Sequence, residues 1–301
     1  MFKETKGRRL TSKEAARLLG VSEASVKRWA DSGLLPMEKT VGGHRRFRPE
    51  DVAAVRRAGP FAAVREAPQR SRAAREAQAP ELDPAREAAL VEETFGALVA
   101  GRDEELSALL VSLHLDGHSV GRIADGLLCA GMRRVGDLWR AGELTVAQEH
   151  VATRTATVAL QALQGSLRGA AGEEGIRALC CSVEEDFHEL PLRLAAVTLE
   201  ARGLAVFNLG LSTPFSALAE AVQRFRPELV CVSSTVLLRL DRAAYEYATF
   251  RKTARRVAAA VVLGGEGFRG EDVRRRLPAD LHAESFRQME EFIGTLGAKD
   301  S

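Results

Sequence analysis

From Ile176 onward the apolar residues come in short runs, Ala178–Val183, Leu204–Leu211, Leu229–Ser234 and Ala259–Leu263, with helical stretches between them. Runs of that length fit buried strands, and strands that alternate with helices pair in parallel through crossovers. The pattern predicts a doubly wound, Rossmann-like α/β domain over residues 174–301. From Pro84 to about Gly172 the texture differs. Apolar residues recur three and four apart, with breaks near Gly101, at Asp116–Gly117 and at Ala141–Gly142. Four helices with no strand between them fit this stretch, and they predict a four-helix bundle over residues 85–173. Residues 60–84, PFAAVREAPQRSRAAREAQAPELDP, hold four of the ten prolines and little that could be buried, so they read as a linker. The fold class is therefore multidomain, with a first module over residues 1–59.

Charge separates that first module from the rest. Residues 1–59 hold 14 Lys and Arg against 7 Asp and Glu, a surplus of +7, so the remaining 242 residues carry −5 of the overall +2. A small basic module on a larger acidic body is the layout of a nucleic-acid reader with something attached. At 46% hydrophobic residues the chain can build real cores and is not disordered. No apolar run approaches the roughly 18 residues of a membrane span, and MFKETKGRRL has no signal-type apolar stretch. The four cysteines, Cys129, Cys180, Cys181 and Cys231, lie in apolar segments without a C-x-x-C spacing. Neither a disulfide framework nor a zinc knuckle follows. A cytoplasmic protein without membrane partners is expected.

Within the basic module, Thr11–Gly20 reads as a capped helix, Gly20–Val21–Ser22 as a turn and Glu23–Gly33 as a second helix. Lys27 and Arg28 lie on one face of that helix, with Val26 and Trp29 on the other. Such an arrangement lets the second helix enter a major groove. After Pro36, a glycine tip leads to His44, Arg45, Arg46 and Arg48, a basic wing suited to phosphates and minor groove, with Phe47 packing inward. The stretch SVKRWADSGLLPMEKTVGGHRRFRPEDV resembles the MerR superfamily of winged helix-turn-helix regulators, over residues 9–57. The resemblance implies operator double-stranded DNA as a partner, contacted by Lys27, Arg28, His44, Arg45 and Arg46. A reader of this size normally works as a dimer or higher assembly.

In the α/β domain the loop after the first strand reads Glu184-Glu185-Asp186-Phe187-His188-Glu189-Leu190-Pro191. Ligands of such folds sit at the carboxyl ends of the strands, and an Asp two residues before a His can orient it as a metal ligand. Ser233-Ser234-Thr235 end the third strand, and Gly264-Gly265 end the fourth, where missing side chains admit a broad planar ligand. With 41 residues between Pro191 and Ser233 and 28 between Thr235 and Gly264, the constellation resembles the cobalamin-binding module. The resemblance implies that His188 takes the lower face of cobalt, that Asp186 orients it, that Ser233 or Ser234 bonds the nucleotide tail, and that Thr235, Gly264 and Gly265 line its channel. Pro191 stands where the module has glycine, so the loop is expected to differ locally.

In the bundle, nine residues separate Trp139 from Glu149-His150. With a cobalamin-like domain downstream, this W-x9-E-H resembles the cap of CarH-type photoreceptors, adenosylcobalamin-dependent MerR-like repressors. That resemblance implies Trp139 packing on the adenosyl group, Glu149 and His150 contacting it, and a dark homotetramer on DNA that light takes apart. Arg140 stands where that family has a cobalt-capturing histidine, and a guanidinium is a very poor ligand. His150, His114 or His118 could take over, water could remain, or the signal could be other than light. The alternatives are a light-independent sensor of cobalamin or another tetrapyrrole, a regulator without cofactor, and, remotely, a corrinoid methyl-transfer protein, in which the basic wing has no purpose. No hydrolase-type nucleophile–base pair and no phosphate loop is apparent, so the chain reads as a non-enzyme. His282 reads as a surface residue near a final edge strand, Cys180-Cys181 as core, and Arg251–Arg256 and Arg274–Arg276 as solvated faces.

Overall fold

The computed structural model describes residues 9–19, 23–31, 35–40, 43–49, 51–53, 83–167 and 177–297. The linker expected over 60–84 lies outside them up to residue 82, as do the turn Gly20–Val21–Ser22 and the tip at Val41–Gly42.

In the basic module α1 (Ser12–Leu19) and α2 (Glu23–Asp31) precede a two-stranded antiparallel ribbon, β1 (Glu38–Lys39) and β2 (Arg45–Arg46). Thr11 starts α1 with a capping box: the Glu14 N–H donates to Thr11 Oγ1 at 3.2 Å, and the Thr11 N–H donates to Glu14 Oε2 at 2.8 Å. Ala15, Val26, Trp29, Leu35 and Phe47 close a small core, with Phe47 fully buried as its place in the wing predicts.

The bundle consists of α3 (Pro84–Ala100), α4 (Asp103–Leu115), a continuous third helix and α7 (Val146–Leu167). The third helix runs as α5 (Val120–Ile123), a π-helical turn (Ala124–Leu128) and α6 (Cys129–Arg140). Pro84 takes the first position of α3, where its missing N–H costs nothing, and Asp83 caps the Arg86 N–H at 2.7 Å. The predicted breaks are the observed ones: Gly101, Gly117 and Gly142 all have positive φ. After the break at Ala141–Gly142 the fourth helix starts only at Val146. Thr145 and Gln148 cap it reciprocally, while the Glu143 and Leu144 N–H groups donate back to the Leu138 carbonyl.

The α/β fold is a five-stranded sheet, all parallel, in the order β4-β3-β5-β6-β7. Its strands are β3 (Arg177–Val183), β4 (Ala205–Thr213), β5 (Leu229–Ser233), β6 (Ala260–Gly264) and β7 (Leu281–Ala283). Helices α8 (Glu189–Ala201), α9 (Phe215–Phe225), α10 (Leu240–Arg256), α11 (Glu271–Arg276) and α12 (Phe286–Gly297) complete it. The first strand sits inside the order, between β4 and β5, which puts the topological switch point beside the end of β3. Cys180 and Cys181 are buried in β3, and His282 is partly buried on the edge strand β7.

Bundle and α/β fold share one apolar core. Leu190, Leu194, Val197 and Ala201 of α8 belong to the same cluster as Leu160, Leu163 and Leu167 of α7 and Val120 and Ile123 of α5. Within the bundle, α3 and α6 cross closely at Gly131, where a Cβ would lie 2.9 Å from Leu98 Cδ1 and 3.2 Å from Thr94 Cγ2. Gly131→Val is expected to cost about 1–3 kcal/mol by overpacking. Gly136→Ala, with nothing within 4 Å, is expected to gain up to about 1 kcal/mol from helix propensity. Thermal unfolding of the two variants should move in opposite directions.

Candidate cofactor site and nucleic-acid interface

The chain leaves β3 through a tight turn in which Glu185 adopts a left-handed φ of 65°. Asp186 follows, 1% exposed. Its Oδ1 accepts from the His188 N–H at 3.0 Å and pairs with His188 Nδ1 at 2.7 Å, while its Oδ2 accepts from the Thr235 N–H at 2.5 Å. One carboxylate therefore joins the loop after β3 to the loop after β5. A carboxylate facing Nδ1 holds the proton there, which leaves the Nε2 lone pair free. The His188 side chain is 55% exposed, and Nε2 has no partner among the described residues. Around this pair the loop is braced. Ser182 Oγ donates to the Asp186 carbonyl at 2.7 Å, the Glu185 N–H donates to Ser212 Oγ at 3.0 Å, and Arg239 and Arg242 pair with Glu185 and Glu184 at 3.0 and 2.9 Å. Pro191 sits in the first turn of α8, where an N–H has no helical partner, so its ring is accommodated. The local turn is made at Glu185 instead.

Across the switch point, Ser233 and Ser234 are buried at the end of β5. Ser234 is tied into the backbone: its N–H donates to the Gly264 carbonyl at 2.9 Å, and its carbonyl accepts from the Gly267 N–H at 2.8 Å. Its hydroxyl is buried and has no hydrogen-bond partner among the described residues. Gly265 has φ 106°, and a Cβ there would lie 2.4 Å from the Ser234 carbonyl oxygen. Gly267, which sequence reasoning passed over as the third glycine of VVLGGEG, also packs closely on Ser234, since its Cβ would lie 2.2 Å from Ser234 Oγ and 3.0 Å from Ser234 Cβ. Gly264 is less constrained, its Cβ meeting Ala283 at 3.7 Å.

Trp139 stands in the last turn of α6, 46% exposed, and Glu149 and His150 stand in the first turn of α7. Glu149 accepts from Thr153 Oγ1 at 2.8 Å and lies 3.6 Å from Nε2 of the largely exposed His150. Arg140 pairs with Asp137 at 2.7 Å. Among the described residues no hydrogen bond or ion pair joins Trp139, Glu149 or His150 to the Asp186–His188 loop. Direction brings the two groups to the same end of the molecule. Helices α7 and α8 are linked near their C-termini by Gln164 Nε2 and Glu200 Oε2 at 2.8 Å. From that link α7 extends back to Val146 and α8 only to Glu189. At 1.5 Å per residue, α7 overreaches the start of α8, and with it His188, by up to about 10 Å.

Trp139, Val146 and Val151 are exposed on the overreaching end of the bundle, and Phe187, Val236 and Leu238 are exposed on the loops at the carboxyl ends of β3 and β5. The last three escaped sequence reasoning; the available signal was an aromatic directly beside His188 and the apolar text after Thr235. His118 stands at the opposite end of the third helix from Trp139, roughly 30 Å along its axis. It is buried, and burial, more than the nearby Arg122, lowers its pKa. His114, whose Nδ1 lies 3.3 Å from the His118 carbonyl, belongs to that same end.

A bound corrin would supply four of cobalt's ligands itself, so one outward imidazole suffices. Among the described residues no group of three His, Cys, Asp or Glu side chains could hold a bare ion. The Ser234 hydroxyl, which has no hydrogen-bond partner among the described residues, fits a polar tail.

On the basic module, Lys27 is exposed on α2 and pairs with Glu23 at 2.9 Å. Arg28 lies in the same helix, but its side chain falls outside the described residues. His44 is exposed, and Arg45 and Arg46 are half-buried along β2. Arg9 and Arg48 both reach Glu38, at 3.1 and 3.0 Å, and the Arg48 hydrogen bond holds the Glu38 carboxyl below its usual range. Among the described residues no helix is long and apolar enough to cross a membrane.

Three family models match the chain: a helix-turn-helix domain over residues 9–59, and B12 binding domains over residues 90–164 and 176–285. It is 28% identical over 263 residues to the HTH-type transcriptional repressor CarA of Myxococcus xanthus, covering 84% of this chain and 85% of that protein. It is 34% identical over 110 residues to the HTH-type transcriptional repressor CarH of Myxococcus xanthus, covering 36% of each. The monomethylamine corrinoid protein of Methanosarcina barkeri shares the fold, with a TM-score of 0.57 at 18% identity over 69% of this chain and 98% of that one.

The two members of the Asp–His pair should separate in a stability measurement. Asp186→Ala strands the Thr235 and His188 N–H groups and is expected to cost about 2–3 kcal/mol in urea unfolding. His188→Ala, at an exposed side chain, should stay within about 0.5 kcal/mol.

Proposed function

We propose that this chain, which carries one helix-turn-helix domain and two B12-binding domains, is a transcriptional repressor controlled by adenosylcobalamin, with light as the signal that removes the upper ligand. The observation that carries the reading is His188 Nε2, directed outward from a braced loop at the sheet's switch point. His188 would hold the cobalt through Nε2, with Asp186 keeping the ring proton on Nδ1. Ser234, with Ser233 and Thr235 beside it, offers its free hydroxyl to the ligand's tail, which Gly264 and Gly265 let pass against backbone. Trp139 covers the adenosyl group, with Glu149 and His150 at its polar edge. Adenosylcobalamin, when bound, supplies a cobalt–carbon bond that light breaks. The filled gap fixes the bundle in the arrangement that assembles as a homo-oligomer, dimer or tetramer. In that assembly Lys27, Arg28, His44, Arg45 and Arg46 hold operator DNA. The domain bounds that follow are 1–59 for the reader, 85–173 for the cap and 174–301 for the cobalamin fold. The chain performs no turnover.

Arg140 favours a second reading, in which the same site senses cobalamin without light. It is exposed and paired to Asp137, with no lone pair to offer cobalt. His118 and His114, at the far end of the third helix, cannot join Trp139 over one metal, which leaves His150 or water.

Purified chain mixed with adenosylcobalamin in the dark should turn red and elute as an oligomer. Green light should change both spectrum and elution and release an operator selected from a random duplex pool. A light-driven spectral change with unaltered elution and DNA binding selects the second reading; a chain that stays colourless with every corrinoid refutes both. His188→Ala should lose the lower-ligand signature in the visible spectrum. Arg45→Ala and Arg46→Ala should each weaken binding about equally across sequences and lower the salt slope by about 1.

A further inference from the structure

Bundle and α/β fold meet at one corner through two carboxylates that cap each other's helices. Asp125, in the π-helical turn, receives the first free N–H groups of α12: Phe286 N to Oδ1 at 2.9 Å and Arg287 N to Oδ2 at 2.9 Å. In return Glu290, from the second turn of α12, receives the start of the third bundle helix: Gly121 N to Oε1 at 3.0 Å and Ser119 Oγ to Oε2 at 2.7 Å. Ser119 in turn caps the Arg122 N–H at 3.1 Å. Each carboxylate sits at the positive end of a helix that belongs to the other module. Glu290 is only 5% exposed, a buried charge that persists because both its oxygens are filled.

Two details point to a fixed corner. Gly121 is required by it, since a Cβ there would lie 2.5 Å from Glu290 Oε2 and 3.0 Å from the Arg287 nitrogen. In a regular helix residues 121, 125 and 128 share a face. The wider π turn lets Gly121 and Asp125 meet α12 while Leu128 still packs in the bundle core. The Trp139 end of the bundle, by contrast, has no polar tie to the α/β loops among the described residues. One corner is pinned and the far end is not.

We propose that Asp125 and Glu290 are positioning residues that set the height and tilt of the bundle over His188, so that the unpinned Trp139 end answers to what lies between. This rests on the proposed cobalamin reading. With the pin in place, the apolar gap is held at the width of one upper ligand. Without it, the bundle stays attached through the shared core but its height is no longer defined.

The test uses the full chain with Glu290→Gln, Asp125→Ala and Gly121→Ala, the last keeping both carboxylates while a methyl displaces one. Absorption titrations with adenosylcobalamin and hydroxocobalamin give a ratio of affinities. The pin predicts that hydroxocobalamin still binds with the His188 signature while the preference for the adenosyl form falls about tenfold. A purely structural role would weaken both corrinoids together with thermal stability and leave the ratio unchanged, which overturns the proposal. Hydrogen exchange on the ligand-free variants supplies the independent arm. Amides of residues 119–125, 285–290 and 146–152 should exchange about tenfold faster, with residues 184–190 unchanged. If the wild type binds neither corrinoid, the cobalamin reading fails. The pin then stands or falls on whether 146–152 responds, because those residues make no contact with either carboxylate.

Discussion

A single buried carboxylate organises the α/β end of this molecule. Asp186 is removed from water, and an ionised group in that position persists only when its oxygens are filled by donors. Three donors fill them, and each comes from a different need: the His188 backbone, the His188 ring and the Thr235 backbone. The backbone contacts fix where two strand ends lie relative to each other. The ring contact fixes which way an imidazole faces. Fold stability and ligand geometry are thereby vested in one side chain, which explains why the ring itself can stand in solvent without being loose. Its orientation is bound to a group that the fold cannot release.

The second constraint is the core shared by the bundle and α8. Two domains joined by a polar interface move independently by default. Here Leu190, Leu194 and Val197 of α8 pack into the same apolar cluster as the bundle helices, immediately after His188 in the chain. The helix that begins directly after His188 is thus also a bundle neighbour. On the proposed reading, a ligand held by His188 would lie toward the overreaching end of the bundle.

Much of this could be read from the text. The strand runs, the breaks at Gly101, Gly117 and Gly142, the inward Phe47 and the Asp186–His188 pair follow from local chemistry: apolar period, left-handed glycine positions and a two-residue spacing. What could not be read depends on groups far apart in sequence. Asp125 and Glu290 are 165 residues apart and look like ordinary surface acids on their own helices. Gly267 matters because Ser234 comes to rest against it, whereas a Cβ at Gly264 would meet only ordinary contacts with Ala283. Phe187, Val236 and Leu238, which the sequence did not single out, are exposed on the loops at the sheet's carboxyl edge. The linker's composition was informative about what it cannot bury, and that is all a proline-rich segment offers.

The open edge carries its own energetic argument. A folded chain seldom leaves several large apolar side chains in water without something to cover them. Trp139 and Val146 at the overreaching end of the bundle, and Phe187 and Leu238 on the loops at the sheet's carboxyl edge, are exposed in this way. Burying them is worth roughly 25 cal/mol for each Å² removed from water. A ligand that fills the gap gains this only when the bundle is at the right height, because a bundle held too high leaves a wet seam and one too low excludes the ligand. The affinity of the ligand is therefore different for different bundle positions, and that difference is the whole of what it can use to shift the protein between states. On the proposed reading, the imidazole beneath supplies attachment that is indifferent to the bundle, and the apolar gap supplies the discrimination. Attachment without discrimination would make a carrier, whereas the joined DNA reader calls for a switch.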